Sequence, residues 1–181
     1  MPLFFVYNIL EEKLEQNRYS PILSKIYFPE LYRTQSLQKD LRFFYGSHWC
    51  RQLKISQAGK EYVQRIRETG NSHPELLVAH AYTRYLGDLS GGQVMKKVVQ
   101  KVLHLSDGPG LSFYNFEAIP DKKVFKCKCV LDSLPIGYDT ANEIAVEANL
   151  AFKLNMNLFK QMQGHLIRTI GQKIYDKLGN A

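Results

Sequence analysis

An all-α, single-domain, multi-helix fold is what this sequence predicts, and three observations carry the prediction. Apolar residues recur at three- and four-residue spacing along most of the chain, which is the period of a helix face. Helix punctuation brackets those stretches: Pro74 opens one, Gly46 closes another, and Thr140-Ala141-Asn142-Glu143 reads as a capping box. A length of 181 residues with 45% hydrophobic content suits one core, and no internal repeat or low-complexity linker divides it.

Taken in order, the first helix is predicted over residues 3–17, after which Ser20-Pro21 and Phe28-Pro29 interrupt regular structure. A second is predicted over 30–45 and a third over 57–69, each with a glycine just behind it. A long helical pattern then runs over 74–103, broken by Gly87, Gly91 and Gly92. Asp107-Gly108-Pro109-Gly110 is a turn, followed by a short extended aromatic stretch over 111–116. Another helix covers part of 121–133. The last opens at Thr140, where the hydroxyl can accept from the Glu143 amide, and continues past Phe159. Residues 164–181 extend it as a basic helical tail, with Leu166, Ile170, Ile174 and Leu178 on one stripe and Arg168, Lys173 and Lys177 beside it.

The net charge of +7 favours anionic partners. Lys and Arg are spread from Lys13 to Lys177 and interleaved with acids, which argues against a nucleic-acid-binding arm. Cys50, Cys127 and Cys129 form neither a disulfide framework nor a zinc half-site, as expected for a reducing compartment. The apolar start lacks the basic residues of a signal peptide, and no apolar run approaches the ~20 residues of a membrane span. A soluble or peripheral protein is expected.

The chemistry concentrates in Arg84-Tyr85-Leu86-Gly87-Asp88-Leu89-Ser90-Gly91-Gly92-Gln93. Three glycines inside a helix cost ~2–3 kcal/mol relative to alanine, so something should offset them. One explanation is close packing of a neighbouring helix, or a bend. The other is a flat ligand lying against bare backbone: Gly87 and Gly91 are four apart and share a helix face. Asp88 would then hold water beside that ligand.

The run from His80 to Gln93 resembles the distal-helix signature of animal heme oxygenases. Tyr7 to Asn17, Tyr27-Phe28-Pro29-Glu30, Asp40-Leu41, Pro74-Glu75-Leu76-Leu77-Val78 and Ala151 to Phe159 resemble the same family, in wording closer to its vertebrate type. The similarity is strongest over residues 5–163 of a single domain spanning 1–181. The resemblance implies cleavage of heme, as substrate and cofactor, to biliverdin, carbon monoxide and ferrous iron. Molecular oxygen would be consumed, and electrons would come from NADPH through a flavoprotein reductase. Biliverdin reductase is a further partner it suggests, and the cytoplasmic face of the endoplasmic reticulum the location, with peripheral membrane contact.

Matching positions carry the family's roles. Gly87 and Gly91 would put the distal backbone against heme. Asp88 would order the water that delivers protons, with Arg84 in the same network. Tyr82 and Thr83 would line or support the pocket, Tyr7 and Asn155 would join the hydrogen bonds, and Phe152 and Phe159 would pack on the porphyrin. Lys126 would bind a propionate, with Lys128 in place of the family's arginine.

The family's axial histidine lies on a helix upstream of the segment resembling Tyr7, which stands only six residues from Met1. The sequence is therefore expected to lack that helix, and no metal ligand is assigned. His48, His73, His104 and His165 carry no signal, and His80 lies ~10 Å from Gly87 along the distal helix itself, on the wrong side of the ring. Two other readings stay open: a non-catalytic heme- or partner-binding relative, and a basic helical interaction domain without heme.

Overall fold

The computed structural model describes residues 2–116 and 128–179, with side chains over 2–116 and 130–163. The main helices are α1 (Pro2–Gln16), α2 (Thr34–Tyr45), α3 (Trp49–Gln52), α4 (Gln57–Ser72), α5 (Leu77–Ala81), α6 (Gly87–Leu103), α7 (Lys128–Asp132) and α8 (Tyr138–Gly179). Between α5 and α6 the backbone winds as a wider π turn, Tyr82–Leu86. No strand occurs among the described residues.

Helix α1 is the centre of the core. Val6, Leu10 and Leu14 recur every four residues, are almost fully buried, and join a cluster with Tyr62 and Ile66 of α4 and with Leu77, Val78 and Ala81 of α5. The contact of α1 with α4 is close at one point. A methyl group on Gly70 would lie 2.7 Å from the aliphatic stem of Lys13, so α4 needs a residue without Cβ there. The α4 N-terminus is capped locally by Ser56, whose hydroxyl accepts from the Gly59 amide at 3.2 Å.

Two other ends are capped from a distance. Arg33, before α2, offers no side-chain cap. Instead the buried Glu11 carboxylate of α1 accepts from the amides of Arg33 at 2.5 Å and Thr34 at 3.2 Å. A carboxylate there complements the positive end of the helix dipole. Helix α2 consequently starts at Thr34, not near residue 30, where the chain makes a 3-10 turn, Pro29–Leu31. Asp40 of α2 similarly accepts from the amides of Ser112 and Phe113, both at 2.8 Å. Those bonds curl Ser112–Tyr114 into a 3-10 turn where the sequence suggested an extended stretch.

Helix α8 has 42 residues and spans about 60 Å at 1.5 Å per residue. It begins two residues before the Thr140 expected as its cap. The Ala141 amide donates to Gly137 O at 3.0 Å, which places Thr140 within the first turn. Its N-terminal half packs on α4, α5 and the π turn, with Ala151 and Leu158 buried.

Candidate functional site

The stretch from Leu77 to Leu103 is helical throughout, but its irregularity lies at Tyr82–Leu86, ahead of the glycines. Gly87 and Gly91 sit in regular α-helix. π turns are uncommon and recur at functional sites. This one holds Arg84, which is 5% exposed and organises a buried network.

Arg84 donates from Nε and Nη2 to the Tyr7 hydroxyl, at 3.0 and 2.8 Å. Its Nη1 donates to Asn155 Oδ1 at 2.5 Å, and its Nη2 lies 3.4 Å from Asp88 Oδ1. The Tyr7 hydroxyl in turn donates to the other Asp88 oxygen, Oδ2. Four of the residues singled out in the sequence, Tyr7, Arg84, Asp88 and Asn155, are thus joined from α1, the π turn, α6 and α8. Burial pushes the Asp88 carboxyl above its ordinary range, against the opposing pull of Arg84, the Tyr7 hydrogen bond and the charge of Arg33. Burial also raises Tyr7, with Arg84 working against it. Burial disfavours the Arg84 cation, but Tyr7 and Asp88 outweigh that and keep it charged.

One side of this network is open. A methyl group on Gly87 or Gly91 would meet nothing within 4 Å, and both glycines are exposed. Neither is therefore required by helix packing among the described residues, unlike Gly70. On α8, Phe152, Met156 and Phe159 stand at 51, 53 and 48% exposure. Phe152 and Phe159 lie three and four residues from Asn155 and so flank it on one side of the helix, and Met156 lies four from Phe152 and three from Phe159. Bare backbone, adjacent apolar side chains and a buried carboxylate–guanidinium pair form a donor set that fits a planar, largely apolar ring such as heme. Tyr82 is half-buried, while Thr83 is buried and its hydroxyl has no hydrogen-bond partner among the described residues. Lys126 lies outside the described residues.

A second buried cluster was not legible in the sequence. Glu147 of α8, 3% exposed, accepts from Arg65 Nε of α4 at 2.9 Å and faces His80 Nε2 of α5 at 2.8 Å. His80 is fully buried and committed to this contact. The available signal was spacing: Glu147, Ala151 and Asn155 recur every four residues on one face of α8. Two more unanticipated groups bear on the site. Arg33 donates to three backbone carbonyls and lies 4.1 Å from the Phe116 ring centre, and Tyr62 is a fully buried phenol whose ring is tilted by 45° against that of His80, 5.7 Å away.

Burial alone would raise the Glu147 carboxyl, but the hydrogen bonds and charges of His80 and Arg65 prevail and hold it at about 2, below its ordinary 4.5. A depressed folded-state pKa stabilises above the unfolded value, and the contribution is lost as pH falls through the folded one. Glu147→Gln should therefore melt well below the parent chain near neutral pH. That difference should shrink between pH 4.5 and 2 in paired thermal melts. A gap that is constant with pH would mean the charge of Glu147 is not what stabilises.

Comparison with known proteins agrees with this architecture. The heme oxygenase family model matches residues 1–161. Heme oxygenase 1 of the cyanobacterium Synechocystis sp. is 51% identical over 178 residues, covering 97% of this chain and 74% of that protein. Heme oxygenase 1 of Gallus gallus is 46% identical over 165 residues, covering 89% and 56%. Similarity to a cyanobacterial member thus runs at least as high as to a vertebrate one. The crystal structure of Synechocystis heme oxygenase-1 in complex with heme matches with a TM-score of 0.89 at 50% identity, over 98% of this chain and 80% of that one. Heme oxygenase from Leptospira interrogans matches at 0.84 and 46%, over 88% and 79%. With a matching family model, relatives near half identity and the same all-helical architecture, the chain belongs to the heme oxygenase family.

Proposed function

We propose that this chain binds heme against the Gly87–Gly91 face and supports its oxidative cleavage to biliverdin, carbon monoxide and ferrous iron. The observation that carries the reading is an open, Cβ-free helix face directly beside the buried Tyr7–Arg84–Asp88–Asn155 network. Heme, as the substrate, would supply both the oxygen-activating iron and the ring carbon that is oxidised. Oxygen is the co-substrate, and NADPH electrons arrive through a flavoprotein reductase, with biliverdin passed to its own reductase.

The chain's residues then have separable tasks. Gly87 and Gly91 let the backbone approach the ring. Phe152 and Phe159 offer apolar contact, and Tyr82 and Thr83 support the same helix. Asp88, raised by burial, holds a proton-exchanging carboxyl nearer to working pH than a solvated aspartate would be. Arg84, fixed between Tyr7 and Asn155, keeps that carboxyl in place. Lys126 is assigned to a propionate. His80 is not assigned to iron, because Glu147 occupies it. A non-catalytic reading is not favoured, since the complete polar network would then have no use. The cytoplasmic face of the endoplasmic reticulum is the proposed location, by peripheral contact of residues 164–181. Among the described residues no helix is long and apolar enough to cross a membrane.

Titration with ferric heme should give a saturable one-to-one absorbance change, and reductase with oxygen should convert the bound heme to biliverdin. Bound heme that yields no biliverdin overturns the reading. Gly91→Leu separates ligand contact from folding. Leucine favours an exposed helix over glycine by ~0.8 kcal/mol, so the melting temperature of the heme-free chain should hold or rise. Heme affinity should fall at least tenfold. Unchanged affinity would remove Gly91 from the heme face.

A further inference from the structure

Two polar contacts tie α8 to the distal stretch. His80 meets Glu147 at 2.8 Å, and Arg84 meets Asn155 at 2.5 Å. The paired residues are four apart on the distal stretch and eight apart on α8. Ala151, 0% exposed, lies midway on α8 and lets the two backbones come together. Arg65 of α4 holds the first contact from a third helix, donating through both Nε and Nη2 to the two Glu147 oxygens.

The second contact is the one that touches the candidate site; beyond it on α8, Gln161 accepts from the Ala58 amide of α4 at 3.0 Å. The buried neighbours of Asn155 on α8 are Ala151 and Leu158, whose apolar packing has no directional preference. An asparagine tip stands roughly 5–6 Å from its helix axis. Turning α8 by about 20° would move that tip by about 2 Å, which along the bond would stretch the 2.5 Å contact beyond hydrogen-bonding range. A doubly held carboxylate two turns away is suited to prevent such a rotation, because two parallel bonds from one guanidinium fix orientation as well as distance.

We infer that Glu147 is a positioning residue for the distal network: clamped by Arg65 and His80, it sets the rotation of α8 at which Asn155 meets Arg84. Its consequence for heme cleavage rests on the proposed function, whereas its effect on Arg84 does not. Glu147 does not reach the open glycine face. It acts through Asn155 on Arg84, and through Arg84 on Asp88.

The test reads Arg84 directly in the heme-free full chain. Hydrogen exchange of its Nε–H, which donates to Tyr7, is followed by NMR and assigned by its disappearance in Arg84→Lys. Glu147→Ala should speed that exchange at least tenfold. Ile66→Ala, in the same core but outside the clamp, should change it less than twofold at a comparable loss of melting temperature. If Glu147→Ala does not fold, Glu147→Gln, which keeps the size but cannot accept at both atoms, is read in the same way. Exchange within twofold of the parent, or an equal effect in Ile66→Ala, overturns the inference. With heme bound, Glu147→Ala should lower the turnover rate severalfold while heme affinity stays within threefold; affinity falling in step with turnover would also overturn it. A parent chain that makes no biliverdin defeats the proposed function alone, and the Arg84 exchange still decides the role of Glu147.

Discussion

Asp88→Ala should lower the rate of biliverdin formation by about 100-fold, the lower range for loss of a positioned proton-transfer group. Heme affinity should change little, because binding would draw on the glycine face and on Phe152 and Phe159. The expectation rests on what else could move a proton in the network. Arg84 is held charged by Tyr7 and Asp88 against the cost of burial and does not release its proton. Tyr7 is raised well above the ordinary phenol range by burial and already donates to Asp88. That leaves the carboxyl, which burial shifts toward neutrality. Asp88→Asn sharpens the comparison, since an amide keeps the size and hydrogen bonding but cannot exchange a proton in the same way. The two variants should be similarly slow in single-turnover assays. An asparagine variant as fast as the parent would show that Asp88 only orders its surroundings.

The largest structural effect is expected from Arg84→Met. Removing one member of a buried charge pair typically costs 3–5 kcal/mol, because the other charge is left without its partner. For a chain of this length such a loss lowers the melting temperature by about 10 °C. Arg84 is 5% exposed and satisfies Tyr7 and Asn155 as well as Asp88, so three acceptors lose their donor together. The deficit should ease as pH falls and Asp88 takes up a proton. The double variant Arg84→Met/Asp88→Asn should recover part of the stability, because no buried carboxylate then remains unpaired. Melting within 2 °C of the parent, roughly 1 kcal/mol or less, would mean that the guanidinium is replaced by solvent.

What was legible in the sequence was local. The three- and four-residue spacing of Val6, Leu10 and Leu14 located α1, and Ser56 and Gly46 mark helix ends close to where they were expected. The unusual glycine density around Asp88 directed attention to this stretch, and Tyr7, Arg84, Asp88 and Asn155 are joined by hydrogen bonds in the structure. Two of the errors share one cause, since each involved a partner far along the chain. Glu11 caps α2 across 22 residues, and Asp40 curls Ser112–Tyr114 across 72. Glu147 reads as an ordinary solvated acid until α4 and α5 are laid beside it. The Thr140 capping pattern was a real local preference, overridden when α8 began two residues earlier.

The wide turn at Tyr82–Leu86 takes up one residue more than regular winding would, and one residue in an α-helix corresponds to about 100° of rotation. The segment before it and the segment after it are therefore out of phase. His80 and Ala81 point into the core in one register, and Gly87 and Gly91 open outward in another. Deleting a single residue within that turn would let the whole stretch wind evenly, giving a better helix. It would also swing Gly87, Asp88 and Gly91 about a quarter-turn away from Tyr7 and the opening. Thermodynamic preference and chemical competence pull in opposite directions at this one surplus residue, so sequence length here is under a constraint that composition alone would never reveal.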